Sequence, residues 1–135
     1  MDNEILDLDM SQTKTVLVVD DSRVSRMMAR QFILSARPSW VVEDAASGEE
    51  ALEKINTIHP IHPILILMDV NMPGIGGMAA AEQLRRSCPG AHIALLTANV
   101  QNATRERANE MGIGFIEKPM TEARIHALIA ALGAE

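Results

Sequence analysis

Four short apolar runs in this chain each lead into a polar residue with chemistry of its own, and helical segments separate them. Val16 to Val19 runs into Asp20-Asp21, Ile64 to Met68 into Asp69, Ile93 to Leu96 into Thr97, and Phe115-Ile116 toward Lys118-Pro119. Runs this short and this uniformly apolar read as strands buried on both faces. Trp40-Val41-Val42 is a weaker fifth run. Ser22 is placed as the N-cap of a first helix, in which Val24, Met28 and Phe32 sit at the i, i+4, i+8 spacing of an amphipathic face; Pro38 ends it. Ser47 and Glu50 match the S-x-x-E capping box and open a helix through about Ile55. Gly76-Gly77 punctuate a loop before an Ala-rich helix over Met78 to Arg86. A polar fourth helix is predicted from near Asn102 to Met111, with Gly112 as its stop. Thr121 caps a fifth and last helix, whose Ile125, Leu128, Ile129 and Leu132 follow the i, i+3, i+4, i+7 stripe.

Five rounds of strand and helix predict an α/β domain, a parallel sheet covered on both faces and doubly wound through right-handed crossovers. The flavodoxin-like strand order 2-1-3-4-5, with five helices, is the natural expectation, although periodicity does not set strand order. A length of 135 residues allows one domain, expected over 15–135. Residues 1–14, MDNEILDLDMSQTK, read as a flexible acidic tail rather than a secretory signal, since a signal would begin basic and carry an unbroken apolar stretch.

Composition removes several classes of function. No apolar run approaches the ~20 residues of a membrane span, so no membrane insertion is expected. The net charge of −6 argues against nucleic acid as a partner, because phosphate backbones are bound by clustered Lys and Arg. The only aromatic residues are Phe32, Trp40 and Phe115, too few for a base-stacking platform. Cys88 stands alone, which excludes an internal disulfide and fits a reducing, cytoplasmic setting. The phrase His59-Pro60-Ile61-His62-Pro63-Ile64 reads as a stiffened connection; two His without a Cys or carboxylate beside them make a poor metal site.

The polar residues at the strand ends carry the chemistry. Open α/β sheets bind ligands at the carboxyl ends of their strands. Taken singly, each residue has a plain explanation: Asp suits a turn, Thr suits a strand, Lys suits a wet surface. Their occurrence in order on successive strands points further. Three carboxylates gathered together repel, by about 4 kcal/mol per pair at ~4 Å and an effective dielectric of 20. A hard cation relieves this, and an all-oxygen ligand set suits Mg²⁺. Lys118 adds a point charge suited to a phosphoryl group and Thr97 a hydroxyl donor, and together these parts serve phosphoryl transfer. A carboxylate can itself be the nucleophile, forming an aspartyl phosphate.

The blocks VLVVDDS (16–22), LILMDVNMPGIGG (65–77), ALLTAN (94–99) and GFIEKP (114–119) resemble the receiver domain of two-component response regulators, a resemblance that spans roughly Thr15 to Leu132. It implies that Asp69 is the phosphoacceptor, attacking a phosphohistidine on a sensor histidine kinase or histidine phosphotransfer protein. It implies that Asp21, Asp69 and the backbone carbonyl of Asn71 bind Mg²⁺, with Asp20 acting through a water. Lys118 would contact the phosphoryl oxygens, and Lys118-Pro119 would be a cis peptide. Thr97 and Phe115 would be the switch pair, and Asn71 and Asn99 would influence phosphate lifetime. The signal would be read by a downstream protein target at the face of the fourth helix, fifth strand and fifth helix, with Met111 and Met120 near it.

On this reading the chain is a single-domain switch that acts by contact, catalysing only its own phosphorylation and dephosphorylation. A phosphorelay intermediate uses the same residues. A phosphohydrolase of the haloacid dehalogenase type also uses a strand-terminal Asp, Mg²⁺, Thr and Lys, but needs a second Asp where this chain has Asn71. A phosphorylation-independent scaffold would have no use for the complete motif set.

Overall fold

The computed structural model describes residues 14–58, 60–71, 76–98, 106, 109–110 and 112–132. Five strands, β1 (Thr15–Val19), β2 (Val41–Ala45), β3 (Leu65–Asp69), β4 (His92–Thr97) and β5 (Gly114–Glu117), form one sheet in the order β2-β1-β3-β4-β5. Every pairing is parallel. Four helices are defined among the described residues: α1 (Arg23–Ala36), α2 (Gly48–Ile55), α3 (Gly76–Ser87) and α4 (Glu122–Ala131). Most of the helix expected over 102–111 lies outside the described residues, although Glu106, Asn109 and Glu110 are helical. The expected acidic tail also lies outside them, apart from Lys14.

The apolar runs of β1, β3 and β4 are unbroken because both faces of the sheet are covered there, whereas the edge strands β2 and β5 carry exposed residues. Alternate residues of a strand point to opposite sides. Val16, Val18, Leu65, Leu67, Ala94 and Leu96 therefore pack toward Ala29 and Ile33 of α1 and Ile125 and Ile129 of α4. Leu17, Val19, Ile66, Met68, Ile93 and Leu95 pack on the other side, against Ala51 and Ile55 of α2 and Ala80, Ala81 and Leu84 of α3. Each fully buried Leu or Ile side chain contributes about 1.5–3 kcal/mol of transfer free energy.

Local signals set the helix starts. The hydroxyls of Ser22, Ser47 and Thr121 accept from the N–H groups of Ser25, Glu50 and Arg124. Glu50 closes the capping box, its carboxylate accepting from Ala46 N–H at 2.8 Å. Gly112 has φ +72 and donates to the Asn109 carbonyl, the left-handed helix stop expected there. Gly76 and Gly77, read as loop, are instead the first residues of α3. The weak strand at Trp40 begins one residue later and extends to Ala45.

The face assigned to α1 is corrected. Val24 is 65% exposed and Met28 38%, and Phe32 is only half-buried, whereas Ala29 and Ile33 are fully buried. Both sets satisfy the four-residue spacing. Ala29 wins the inward position because a single methyl lets the helix backbone approach the sheet closely, while a Met there would hold it away.

This assignment yields a direct comparison. Ile33→Ala is expected to cost about 2–4 kcal/mol in urea unfolding, the penalty for emptying a packed site. Val24→Ser is expected to stay within about 0.5 kcal/mol of the parent. The reverse ranking would restore the Val24–Met28 stripe as the buried one.

Candidate functional site at the carboxyl edge of the sheet

Strand register assembles the site. Val19 pairs with Met68, so Asp20 follows β1 level with Asp69 at the end of β3. Asp69 pairs with Leu96, placing Thr97 one residue beyond it on β4. Thr97 pairs with Glu117, placing Lys118 one residue beyond β5. The ladder continues past the strand ends, with Asp20 N–H donating to Ala45 O at 3.0 Å, Val70 N–H to Leu96 O at 3.0 Å and Lys118 N–H to Thr97 O at 2.8 Å. These bonds hold the polar residues as firmly as the strands that precede them.

Asp20, Asp21 and Asp69 each bring a carboxylate oxygen within 4.8 Å of the others. Asp20 and Asp69 are buried and Asp21 is exposed, so the cluster opens to solvent on one side. Lys118 Nζ donates to Asp69 Oδ1 at 3.0 Å. Asn71 N–H donates to the same oxygen at 3.0 Å, and Ser22 N–H donates to Asp20 Oδ1 at 2.9 Å. Each buried carboxylate thus accepts the backbone N–H two residues on, the turn that an Asp at a strand end favours. Asn71 is exposed and Thr97 buried. The Lys118–Pro119 peptide bond is cis. Phe115 is half-buried against the α2–α3 side of the core, and Asn99 lies outside the described residues.

Burial holds the Asp20 carboxyl above the ordinary carboxylate range. The Ser22 N–H lowers it, Asp69 raises it, Lys118 lowers it and Asp21 raises it. Three carboxylates facing one ammonium carry an excess of negative charge, and their oxygens are hard donors. That donor set fits a divalent cation with oxygen preference such as Mg²⁺.

Several contributors were not legible in the sequence. Arg26 Nη1 donates to the Asp20 carbonyl at 2.8 Å while its Nε pairs with Asp44 at 3.1 Å, tying the acidic turn to β2. Ser25, Met28, Leu96, Pro119 and Met120 line a cleft of about 510 Å³ with Asp20 and Lys118. Met120, expected near the signalling face, also lines this cleft and packs against the α1–α4 side of the core. Nothing in the residue pattern marks an arginine one turn into a helix as a support for the preceding strand end. Cys88 follows α3 at the opposite end of the sheet, and burial raises its pKa.

Comparison with known proteins agrees with this geometry. The model of the response regulator receiver domain matches residues 16–130, and the chain belongs to that family. It is 34% identical over 113 residues to the chemotaxis protein CheY of Thermotoga maritima, covering 83% of this chain and 91% of that protein. It is 33% identical over 101 residues to a protein-glutamate methylesterase/protein-glutamine glutaminase of Methanosarcina acetivorans, covering 75% of this chain but only 28% of that protein. The structure of the chemotaxis response regulator CheY4 of Vibrio cholerae superposes with a TM-score of 0.76 at 27% identity, covering 89% of this chain and 98% of that one. No helix among the described residues is long and apolar enough to cross a membrane.

The strained charge of Asp20 generates a prediction. Its raised pKa means the folded protein binds a proton there more readily than the unfolded chain, so the ionised carboxylate is a penalty at neutral pH. Asp20→Asn, measured in EDTA at pH 7, is expected to raise stability and Tm. The gain should shrink as pH falls through the raised pKa, where Asp20 in the parent takes up its proton. A constant difference across that acid range would contradict the burial argument.

Proposed function

We propose that the chain is a phosphorylation switch in which Asp69 accepts a phosphoryl group from a phosphohistidine on a partner protein. The observation that carries this reading is Lys118 Nζ at 3.0 Å from Asp69 Oδ1 within a cluster of three carboxylates at one sheet edge. A carboxylate oxygen of Asp69 attacks phosphorus, the P–N bond breaks, and its electron pair leaves with the imidazole. Lys118 offsets the charge gathered on the phosphoryl oxygens. Asp21, Asp69 and the Asn71 carbonyl would hold Mg²⁺, with Asp20 acting through a water. When bound, the ion supplies charge neutralisation that one lysine does not provide. Asn71, together with Asn99 outside the described residues, would tune the lifetime of the phosphate. The phosphohydrolase alternative lacks support at Asn71, whose amide does not exchange a proton as a general acid must.

The modified Asp69 carries about −1.5 to −2 additional charge and new acceptor oxygens. Thr97 answers this change by bonding the phosphoryl group, and Phe115 repacks in turn. The result is a shift between two pre-existing populations rather than a new structure. The readout lies at the face of the fourth expected helix, β5 and α4, and on β5 and α4 Phe115, Ile116, Glu117, Arg124, Ala127 and Leu128 line a groove. The phosphodonor is a histidine kinase or phosphotransfer protein, the receiver acts in the cytoplasm, and the target is a protein. Exposed Val24, Met27 and Met28 on α1 give an incoming donor an apolar surface close to the cleft.

Asp69→Asn is expected to abolish Mg²⁺-dependent labelling by acetyl phosphate, read by phosphoprotein mass. Labelling at the parent level would remove Asp69 from its role. Lys118→Ala is expected to keep Mg²⁺ affinity within a few-fold while losing the phosphorylation-driven change in conformation, followed by NMR shifts on β5 and α4. A normal response in that variant would exclude Lys118 from the switch.

A further inference from the structure

Lys118 reaches Asp69 from an edge of the sheet, and its side chain is one-third exposed. Such a side chain is flexible, so its placement depends on how firmly its own backbone is held. On one side that backbone bonds β4, through Lys118 N–H to Thr97 O at 2.8 Å. Successive residues of a strand turn their N–H and C=O to opposite sides, so the Glu117 carbonyl faces away from β4, toward the open edge. Pro119 has no N–H to contribute and its carbonyl leads out of the sheet toward α4.

Arg124 spans this gap. Its Nη1 donates to Glu117 O at 2.9 Å and to Pro119 O at 2.8 Å. One nitrogen with two hydrogens therefore ties the carbonyls on either side of Lys118. Arg124 is itself anchored in the first turn of α4, where its N–H donates to Thr121 Oγ1 at 3.2 Å. A continuous chain of contacts runs from the α4 cap through the guanidinium to the Lys118 backbone and on to Asp69.

We propose that Arg124 is a positioning residue for Lys118, holding the lysine at the height from which its ammonium meets Asp69 and the group bound there. The proposal rests on the reading of Lys118 as the phosphoryl contact. It assigns no contact with the phosphoryl group to Arg124 itself. The carboxylate cluster is built on β1 and β3, which Arg124 does not touch, so metal affinity should be independent of it.

The test titrates the full chain with Mg²⁺ alone and then with beryllofluoride in saturating Mg²⁺, by calorimetry, for the parent and for Arg124→Ala. Beryllofluoride affinity is expected to fall about tenfold, the effect of losing two hydrogen bonds that hold the contact. Mg²⁺ affinity is expected to stay within twofold. Unchanged beryllofluoride affinity overturns the proposal. Equal losses in both titrations overturn it as well, since a merely structural role would weaken the whole site together. Arg124→Gln, too short to span both carbonyls, decides by the same outcomes if the alanine variant does not fold. A parent protein that binds no beryllofluoride sinks the phosphoryl reading itself, whereas a parent that binds it with unaffected variants sinks only the role of Arg124.

Discussion

The pairing of β3 with both β1 and β4 is the constraint from which the rest of the molecule follows. β3 is buried along its whole length, with neighbours on both sides and helices above and below. Its register aligns Met68 with Val19 and Asp69 with Leu96. A one-residue slip would turn Ile66 and Met68 to the opposite face and withdraw Asp69 from the carboxylates of β1. The close fit of each face against its own pair of helices opposes such a slip. The same burial that stabilises the sheet therefore sets the spacing of the charged groups at its edge.

Those charges are costly without a counter-ion, and the fold accommodates them locally. Asp20 and Asp69 each close a turn by accepting the N–H of the residue two further on. The structural and the functional reading of a strand-end Asp are thus not rivals here, since one oxygen can serve the turn while the cluster faces solvent through Asp21. Lys118 offsets part of the repulsion, and Arg26 and Arg124 hold backbone carbonyls on either flank. Arg124 donates to main-chain carbonyls and Arg26 to the Asp20 carbonyl and the Asp44 carboxylate, which leaves the carboxylates of the acidic cluster available to a cation.

The legibility of the sequence varied with the kind of interaction. The three central strands were plain because a strand buried on both faces must be apolar along its length. Caps at Ser22, Ser47 and Thr121 were plain because their hydrogen bonds span three residues. The strand-end acids, Thr97 and Lys118 were legible because short apolar runs point at them. The inward face of α1 was not, because Val24–Met28–Phe32 and Ala29–Ile33 satisfy the same spacing and only contact with the sheet separates them. Arg26 and Arg124 act on carbonyls that are orphaned only once strand order and edge are known.

From the sequence alone, then, came the class of fold, the alternation of buried strands and capped helices, and the set of polar residues able to meet at one edge. These are local or periodic properties, written in spacings of two to four residues. Only the tertiary structure decided the order of the strands, the height at which Asp20, Asp69 and Lys118 face one another, and the arginines that fix their backbones. Those depend on hydrogen bonds between segments about 50 residues apart, such as Lys118 to Asp69 with a separation of 49. No periodicity within a segment encodes a partner at that distance, because the pairing is selected by how whole faces pack.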